Sequence, residues 1–386
     1  MEKEKDRKLD YIVEPLLKWY DKNRRILPWR EEPTPYRVWV SEIMLQQTRV
    51  EAVKPYFARF TEELPNIRSL ANVSEDRLLK LWEGLGYYNR VRNMQKAAIQ
   101  MMEQYEGEMP GEYQLLLKLS GIGTYTAGAI SSIAFGEKRP AVDGNVLRIL
   151  SRLTMDGADI ADTKVKKRVE EELLPIMPKR AGDFNQAMME LGATVCLPNG
   201  EPNCEVCPWH AFCEARIQGR IKEFPVKSPA KKRGIEQKTI LIIRDGEKMM
   251  LHKRADKGLL AGMYEFPTME GHASEKEALS YVKELGCQPL FIRAVGEAKH
   301  IFTHKEWHMT GFLVRVEPFG FEGLKTSDGS KGDTASVIET AENGYLLIDP
   351  LETRTKYPIP SAYAAYTSYA DVKLTQEYIR KKNQNS

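Results

Sequence analysis

Leu119-Ser-Gly-Ile-Gly-Thr-Tyr125 ends one helical pattern of apolar residues, and residues 126–135 begin another. Gly121 and Gly123, so placed, can present successive backbone N–H groups at a helix N-terminus, where dipole and hydrogen bonds hold a phosphate. An ordinary glycine cap between two helices leaves the same trace. Twenty residues beyond Gly123 stands an acid, in Pro140-Ala-Val-Asp143-Gly-Asn145-Val-Leu-Arg148. From these residues alone Asp143 reads as the N-cap of a helix beginning near Val146. Outward from this pair, apolar residues recur at helical spacing from residue 9 to about 215. Start or turn signals fall at Pro28, Pro33-Thr-Pro35, Pro65-Asn66, Pro110-Gly111, Pro140 and Pro175, so this half is expected to be all helix.

The character changes further on. Cys196-x7-Cys204-x2-Cys207-Pro-x4-Cys213 gathers four of the five cysteines into eighteen residues. Four thiolates on short loops can converge on one centre, and their spacing alone leaves zinc and an iron–sulfur cluster both open. Cys287 stands apart and reads as a small buried hydrophobe. Residues 220–238 hold seven Lys/Arg against two Glu, while the whole chain carries only +3; with Pro225 and Pro229 they read as an interdomain linker. Then Thr239-Ile-Leu-Ile-Ile243, Asp245-Gly246 and Met249-Met-Leu-His252 read as strand, tight turn and strand, opening an α+β domain whose best helix is residues 274–285.

With 386 residues, 42% hydrophobic and 29% charged, two or three globular domains are expected, and fibrous or disordered classes fall away. Met1-Glu-Lys-Glu-Lys-Asp-Arg-Lys-Leu-Asp10 lacks the apolar core of a secretory signal, so the expected compartment is the cytoplasm. The longest uncharged run, residues 119–136, contains four glycines, and no transmembrane helix is expected.

The run from Gly121 through Asp143 resembles the helix-hairpin-helix motif and following aspartate of the DNA glycosylase superfamily that includes endonuclease III, whose members often carry four cysteines just downstream. Asp143-Gly-Asn145, in place of Asp-Thr-His, resembles the adenine DNA glycosylase branch, the MutY type. Leu27-Pro-Trp-Arg30, Trp39-Val-Ser-Glu-Ile-Met-Leu-Gln-Gln-Thr48, Trp82-Glu-Gly-Leu-Gly-Tyr-Tyr88 and Phe184-Asn-Gln-Ala-Met-Met-Glu-Leu-Gly192 agree with it. The resemblance is dense over residues 9–215 and looser beyond. It implies a mainly α N-terminal half with the helix-hairpin-helix glycosylase fold, two helical lobes with an iron–sulfur loop, and an α+β Nudix-like C-terminal domain. The implied divisions are a glycosylase domain over 1–216, with the hairpin at about 115–136 and the iron–sulfur loop at 196–213. Beyond it come a basic linker over 217–238, a MutT/Nudix-like lesion-recognition domain over 239–372 and a polar tail over 373–386. The resemblance also implies a [4Fe-4S] cluster on Cys196, Cys204, Cys207 and Cys213.

Breaking an N-glycosidic bond requires one protonated carboxyl group for the leaving base and one ionised carboxylate for the sugar cation. Glu42 neighbours Val38, Trp39, Leu45 and Gln46 on its helix, an apolar face that holds its proton more tightly. The resemblance places the catalytic acid at Glu42 and the ionised partner at Asp143, with Asn145 beside it. Endonuclease III-like lyases carry a lysine at position 125 to form a Schiff base; Tyr125 implies hydrolysis without efficient strand cleavage. A stacked adenine is out of reach and must be flipped out. Gln46, Gln47, Tyr87 and Tyr88 resemble residues that fill the vacated stack, one of the two tyrosines being equally well explained as core. Gly121 and Gly123 would face phosphate, and Trp29, Arg30, Leu45 and Glu190 match positions lining the adenine pocket.

In the C-terminal half, Gly258-Leu-Leu-Ala-Gly-Met-Tyr-Glu-Phe-Pro267 resembles the MutT-like module. Leu279-Ser280 and Lys283-Glu284 stand where its metal-binding helix needs acids, so pyrophosphate hydrolysis is not expected. His300-Ile-Phe302-Thr303-His304 resembles the loop that probes 8-oxoguanine opposite adenine, although a core strand with two satisfied histidines remains open. Two positions depart from the pattern: the first cysteine spacing is one residue longer than expected, and Thr303 replaces the usual serine. The implied partner is double-stranded DNA containing 8-oxoguanine:A or G:A mispairs, without a membrane, bound by a monomer. A thymine-mismatch glycosylase and a non-catalytic iron–sulfur DNA-binding protein are the alternatives. The appended domain weighs against the first, and retention of both Glu42 and Asp143 against the second.

Overall fold

The computed structural model describes residues 9–229, 232–318, 338–340 and 344–372; the charged residues 1–8 and the polar tail expected at 373–386 lie outside them. The chain divides into two compact units, Met1–Asn72 with Arg92–Ala230, and Val73–Val91 with Lys231–Ser386.

The first unit is helical, and proline and glycine set its punctuation. Pro28 and Pro35 open helices Pro28–Glu31 and Pro35–Leu45, where a missing N–H is harmless, and the Thr34 hydroxyl caps the second by accepting the Arg37 N–H. Helix Pro35–Leu45 packs against Val50–Glu63 and against Thr124–Phe135, burying Trp39, Val40, Phe57 and Phe60. Helix Thr124–Phe135 follows the glycine turn and stops at Gly136, which takes the left-handed conformation. A second group of helices, Val13–Asn23, Gly144–Thr154 and Ala181–Thr194, closes around Ile12, Leu16, Leu150, Phe184 and Leu191, and the Trp209 indole donates to the Ile12 carbonyl at 3.0 Å. Burial of these apolar faces is what holds short helices that are marginal alone.

Two expected boundaries move. Residues 217–229 are not free linker: Phe224 is buried, its carbonyl accepts from the Arg152 guanidinium, Val226 accepts from the Ile160 N–H, and Ser228 reaches Asp159. The basic charge and prolines of that stretch hide this packing. Strand β1 runs Gly234–Asp245, starting five residues before 239, because its first residues are mostly polar yet pair with residues 305–309. Residues 73–91, sequence-adjacent to the helical half, cluster with the second unit.

That second unit is built on one mixed sheet. Its strands are β1, β2 Lys248–Lys253, β3 Tyr264–Glu265, β4 Thr268–Glu270, β5 Pro289–Ile301, β6 Lys305–Val316, β7 Ile338–Thr340 and β8 Tyr345–Ile348, in spatial order β5-β6-β1-β2-β8-β7, with β3 on β2 and β4 on β1. β1 and β6 are parallel, whereas β1 and β2 form the expected antiparallel hairpin. The unbroken apolar run in β1 is explained by burial on both faces. Ile240 and Ile242 enter a core with Phe266, Trp307 and Tyr363, and Leu241 and Ile243 enter one with Ala278 and Val282. The last two lie on helix Glu275–Glu284, which starts at a Ser274–Glu277 capping box. No helix among the described residues is long and apolar enough to cross a membrane.

One close approach positions the site. Gly128 faces the chain at Pro140, and a Cβ there would lie 2.3 Å from the Pro140 carbonyl oxygen. Gly128→Ala is therefore expected to lower stability by about 1–3 kcal/mol through overpacking. Urea denaturation checks this, and an unchanged midpoint would show the approach to be slack.

Candidate active site

Three elements of the first unit converge. Helix Pro35–Leu45 carries Glu42, which is 6% exposed. Tyr125 is the second residue of helix Thr124–Phe135, and Asp143 is the N-cap of helix Gly144–Thr154. The Tyr125 hydroxyl donates to Glu42 Oε2 at 2.6 Å. Burial pushes the Glu42 carboxyl up to about 7. The Asp143 charge adds to this, while the Tyr125 hydrogen bond and Arg30 oppose it. Burial, followed by the charges of Glu42 and Asp143, holds the Tyr125 phenol well above its ordinary range. Tyr125 therefore stays neutral and a donor.

Asp143 is raised by burial, against hydrogen bonds that favour its charge. Oδ1 accepts the Val146 N–H at 2.8 Å, and Oδ2 accepts the Asn145 amide at 2.7 Å. Asn145 in turn accepts from Arg148 at 2.8 Å, and Arg148 also donates to the carbonyls of Gly192 and Cys196. Gly192 is required by contact, since a Cβ would stand 2.6 Å from Asn145 Cβ.

Beside these, Glu190 is 1% exposed and gripped by two arginines, Arg25 through Nε and Nη2 and Arg30 through Nη2 at 2.8 Å. Burial alone would raise its pKa, but the arginines outweigh that and lower it. Arg30 also donates to Gln186 at 3.0 Å, and buried Trp29 meets Phe57 edge-on at 5.3 Å. Leu45 ends its helix, followed by Gln46 as C-cap and Gln47 in the left-handed region at φ 62°. Arg25 escaped the sequence reading. Its signal is slight: a basic pair, Arg24-Arg25, just ahead of Leu27-Pro-Trp-Arg30. Gly121 has φ 74° and faces Asn93, and Gly123 is the N-cap of helix Thr124–Phe135.

The two tyrosines separate. Tyr87 is 52% exposed, whereas Tyr88 is buried with its hydroxyl accepting the Gly84 N–H, so Tyr88 is the core residue and only Tyr87 is placed to meet a ligand. Both belong to the second unit, together with the β5–β6 turn. There Phe302 packs between His300 and Trp307, and Thr303 and His304 are exposed. The Tyr87 and Thr303 hydroxyls are hydrogen-bonded at 2.8 Å.

Cys196, Cys204, Cys207 and Cys213 line one cavity with Arg152 and Trp209. The seven-residue loop 197–203 bulges and closes, the Asn203 N–H returning to the Val195 carbonyl at 3.0 Å. Burial pushes the Cys207 thiol up to about 12 and raises Cys204 and Cys213. Arg152 donates to Cys196 Sγ at 3.3 Å. Four thiols on one cavity are a donor set suited to a thiophilic metal centre. Among the described residues, no three His, Cys, Asp or Glu are gathered tightly enough to hold a single metal ion.

Residues 40–175 match the HhH-GPD superfamily of base excision DNA repair proteins, and residues 239–367 match the NUDIX domain. Adenine DNA glycosylase of Mus musculus is 37% identical over 348 residues, covering 75% of this chain and 67% of its own. Adenine DNA glycosylase of Buchnera aphidicola is 36% identical over 309 residues, covering 79% and 87%. A solved thermostable thymine-DNA glycosylase shares 25% identity at a TM-score of 0.49, covering 55% of this chain and 98% of its own.

Glu42 carries a stability consequence. Its folded-state pKa of about 7 lies above the ordinary 4.5, so the folded protein binds the proton more tightly than the unfolded chain. Stability is lost as pH rises between those values. Glu42→Gln removes this penalty: at pH 8 the variant is expected to be more stable than the parent by up to about 3 kcal/mol, at 1.36 kcal/mol per pH unit of the interval. Near pH 4.5 the gain should vanish. Urea titrations at the two pH values check it, and equal stabilities at pH 8 would mean that Glu42 ionises freely.

Proposed function

The chain belongs to the adenine DNA glycosylases, which remove adenine from DNA in base excision repair, and on that premise we propose that it hydrolyses adenine from 8-oxoguanine:A and G:A mispairs and leaves an abasic site. The observation that carries the chemistry is the buried Glu42, with a pKa near 7 and a neutral phenol on one oxygen. A carboxyl group in that condition delivers a proton to adenine N7 at physiological pH and afterwards accepts one from water. Asp143, its two oxygens held by Val146 and Asn145, meets the sugar cation as a preorganised charge, either electrostatically or by a transient covalent bond.

The flipped adenine enters between Trp29, Leu45 and the Arg30–Glu190 pair. Arg25 supports that pair by donating to both oxygens of the Glu190 carboxylate, which satisfies the acceptors that Arg30 leaves open. Tyr125 offers no amine for a Schiff base, which supports a monofunctional enzyme. Gly121 and Gly123 face phosphate, Gln46 and Gln47 fill the vacated stack, Tyr87 meets the DNA beside the Thr303 hydroxyl, and Phe302, Thr303 and His304 probe the opposite base. Cys196, Cys204, Cys207 and Cys213 would hold a [4Fe-4S] cluster, which when bound would cross-link residues 196–213. Arg148 and Arg152 tie that loop to the helix whose first turn carries Asp143.

Single-turnover base release from 8-oxoguanine:A, G:A and G:T duplexes tests the reading. Adenine is expected to leave fastest opposite 8-oxoguanine, thymine to stay, and the strand to break only after heating in base. The rate should fall as pH rises through about 7, where Glu42 loses its proton. Asp143→Asn is expected to keep duplex binding and to lose about 10²-fold or more in rate. Release of thymine from G:T in preference to adenine, or a parental rate in Asp143→Asn, would overturn the assignment.

Metal analysis tests the cofactor. The purified protein should be brown and hold about four irons per chain, whereas a colourless protein holding one zinc would exclude the cluster.

A further inference from the structure

The second unit contains a buried ion pair that the excision chemistry does not use. Lys80 and Glu83, at the end of helix Glu75–Leu81, are 9% and 5% exposed. The Lys80 ammonium donates to Glu83 Oε2 and to the Thr353 carbonyl, and Glu83 Oε1 accepts the Ile359 N–H at 2.8 Å. At the other end of the helix, Asp76 accepts from Lys253 at 3.0 Å and from the Tyr264 hydroxyl at 3.2 Å. A helix contributed by the N-terminal half of the chain is thus fastened by charge to residues 253–264 and 353–359. Removing two charges from water is expensive, and an apolar pair of similar volume is often as stabilising, so what such a pair supplies is a defined geometry.

Directly after the pair, the chain makes the turn that presents Tyr87. The Trp82 indole donates to the Gly86 carbonyl at 3.1 Å, the Gly84 N–H to the Tyr88 hydroxyl at 3.3 Å, and Arg90 to the Gly86 carbonyl at 3.2 Å. Gly84, Gly86 and Tyr87 take φ values of 95°, 71° and 50°. A turn stitched in this way moves as a piece, so the end of helix Glu75–Leu81 sets where the Tyr87 hydroxyl lies, and that hydroxyl is bonded to Thr303.

We propose that Lys80 and Glu83 are positioning residues for recognition of the base opposite adenine, acting by holding the Tyr87 hydroxyl on the Thr303 hydroxyl. This rests on the reading of Phe302, Thr303 and His304 as the lesion probe. The chemistry gives the reason. Position N7 accepts a hydrogen bond in guanine and donates one in 8-oxoguanine. A Thr303 hydroxyl that donates its proton to Tyr87 shows only lone pairs to that edge and so selects the N7–H of 8-oxoguanine, whereas a freely rotating one satisfies either base. Loosening the clamp therefore erodes discrimination and leaves adenine release from G:A in place, because Glu42 and Asp143 belong to the other unit.

The test compares the ratio of single-turnover excision rates, 8-oxoguanine:A over G:A, in the full-length protein and in four variants. These are Glu83→Gln, the double variant Lys80→Met with Glu83→Leu, which leaves no unpaired charge, Thr303→Ala, and the combination of Thr303→Ala with the double variant. The expected result is a ratio about tenfold lower in the clamp variants, the scale of one good edge contact, with the G:A rate within about twofold of the parent and circular dichroism unchanged. Adding Thr303→Ala to the double variant should lower the ratio no further than Thr303→Ala alone. The inference is overturned if Thr303→Ala lowers the ratio while a folded double variant keeps it, if the two losses add, or if the G:A rate falls as much as the 8-oxoguanine:A rate. A parental ratio in Thr303→Ala would instead overturn the lesion-probe reading, and the inference with it.

Discussion

The site depends on a carboxyl group kept from water. Helix Pro35–Leu45 is buried at Tyr36, Val38, Trp39, Val40, Ser41, Ile43 and Met44 as well as at Glu42, so the acid sits in an element with almost no wet face. The Tyr125 hydroxyl reaches Glu42 because Gly121 and Gly123 turn the chain into helix Thr124–Phe135 at that point. The absence of a side chain at Gly128 then lets residues 140–143 cross the same helix. Asn185 locks the crossing, accepting the Ala141 N–H at 3.0 Å and donating to Ser132 and to the Arg139 carbonyl at 2.8 Å. Asp143 arrives three residues after Pro140, so the contact at Gly128 also fixes the distance between the two acids.

Three carboxylates of the first unit, Glu42 and Glu190 buried and Asp143 half-buried, lie in three environments, and their pKa values shift accordingly. Glu42 meets apolar walls and a neutral donor, and its proton is held. Glu190 meets two guanidiniums and is pushed the other way despite its burial. Asp143 is raised by burial but opposed by a backbone N–H at a helix N-terminus and a side-chain amide. A mechanism that needs one proton donor and one anion is served by such a spread. The direction of each shift comes from the surroundings its element supplies, so exchanging the residue types in place would not exchange the roles.

Much of this was legible in the sequence. Proline and glycine mark the helix ends of the first unit in a code that is local, as do Ser274 and Glu277 for helix Glu275–Glu284, and the double-sided burial of β1 shows as an unbroken apolar run. Interactions between residues far apart in sequence leave no such trace. Arg25 meets Glu190 across 165 residues and Lys80 meets Thr353 across 273, and neither pair follows a period. The same holds for residues 217–229, where Phe224 and Val226 accept through backbone carbonyls that any side chain could carry, and for the polar start of β1. Tyr87 and Tyr88 are chemically alike, and only the positive φ at Tyr87 decides that one faces out and the other in.

Position 125 shows how a single side chain sets both protonation and outcome. A lysine there would bring an ammonium to the Glu42 carboxylate and pull its pKa down, since an opposite charge at hydrogen-bond distance favours ionisation. The phenol contributes a hydrogen bond without a charge, and burial keeps it neutral, so Glu42 retains a pKa near 7. The proton donor that purine departure requires is thus compatible with tyrosine in a way it is not with lysine. The loss of a Schiff-base nucleophile comes from the same substitution. In the proposed mechanism the acid that protonates the base and the absence of a lyase step are therefore one feature of this site, because a charged lysine at that position would bring the amine for the sugar at the expense of the uncharged partner for Glu42.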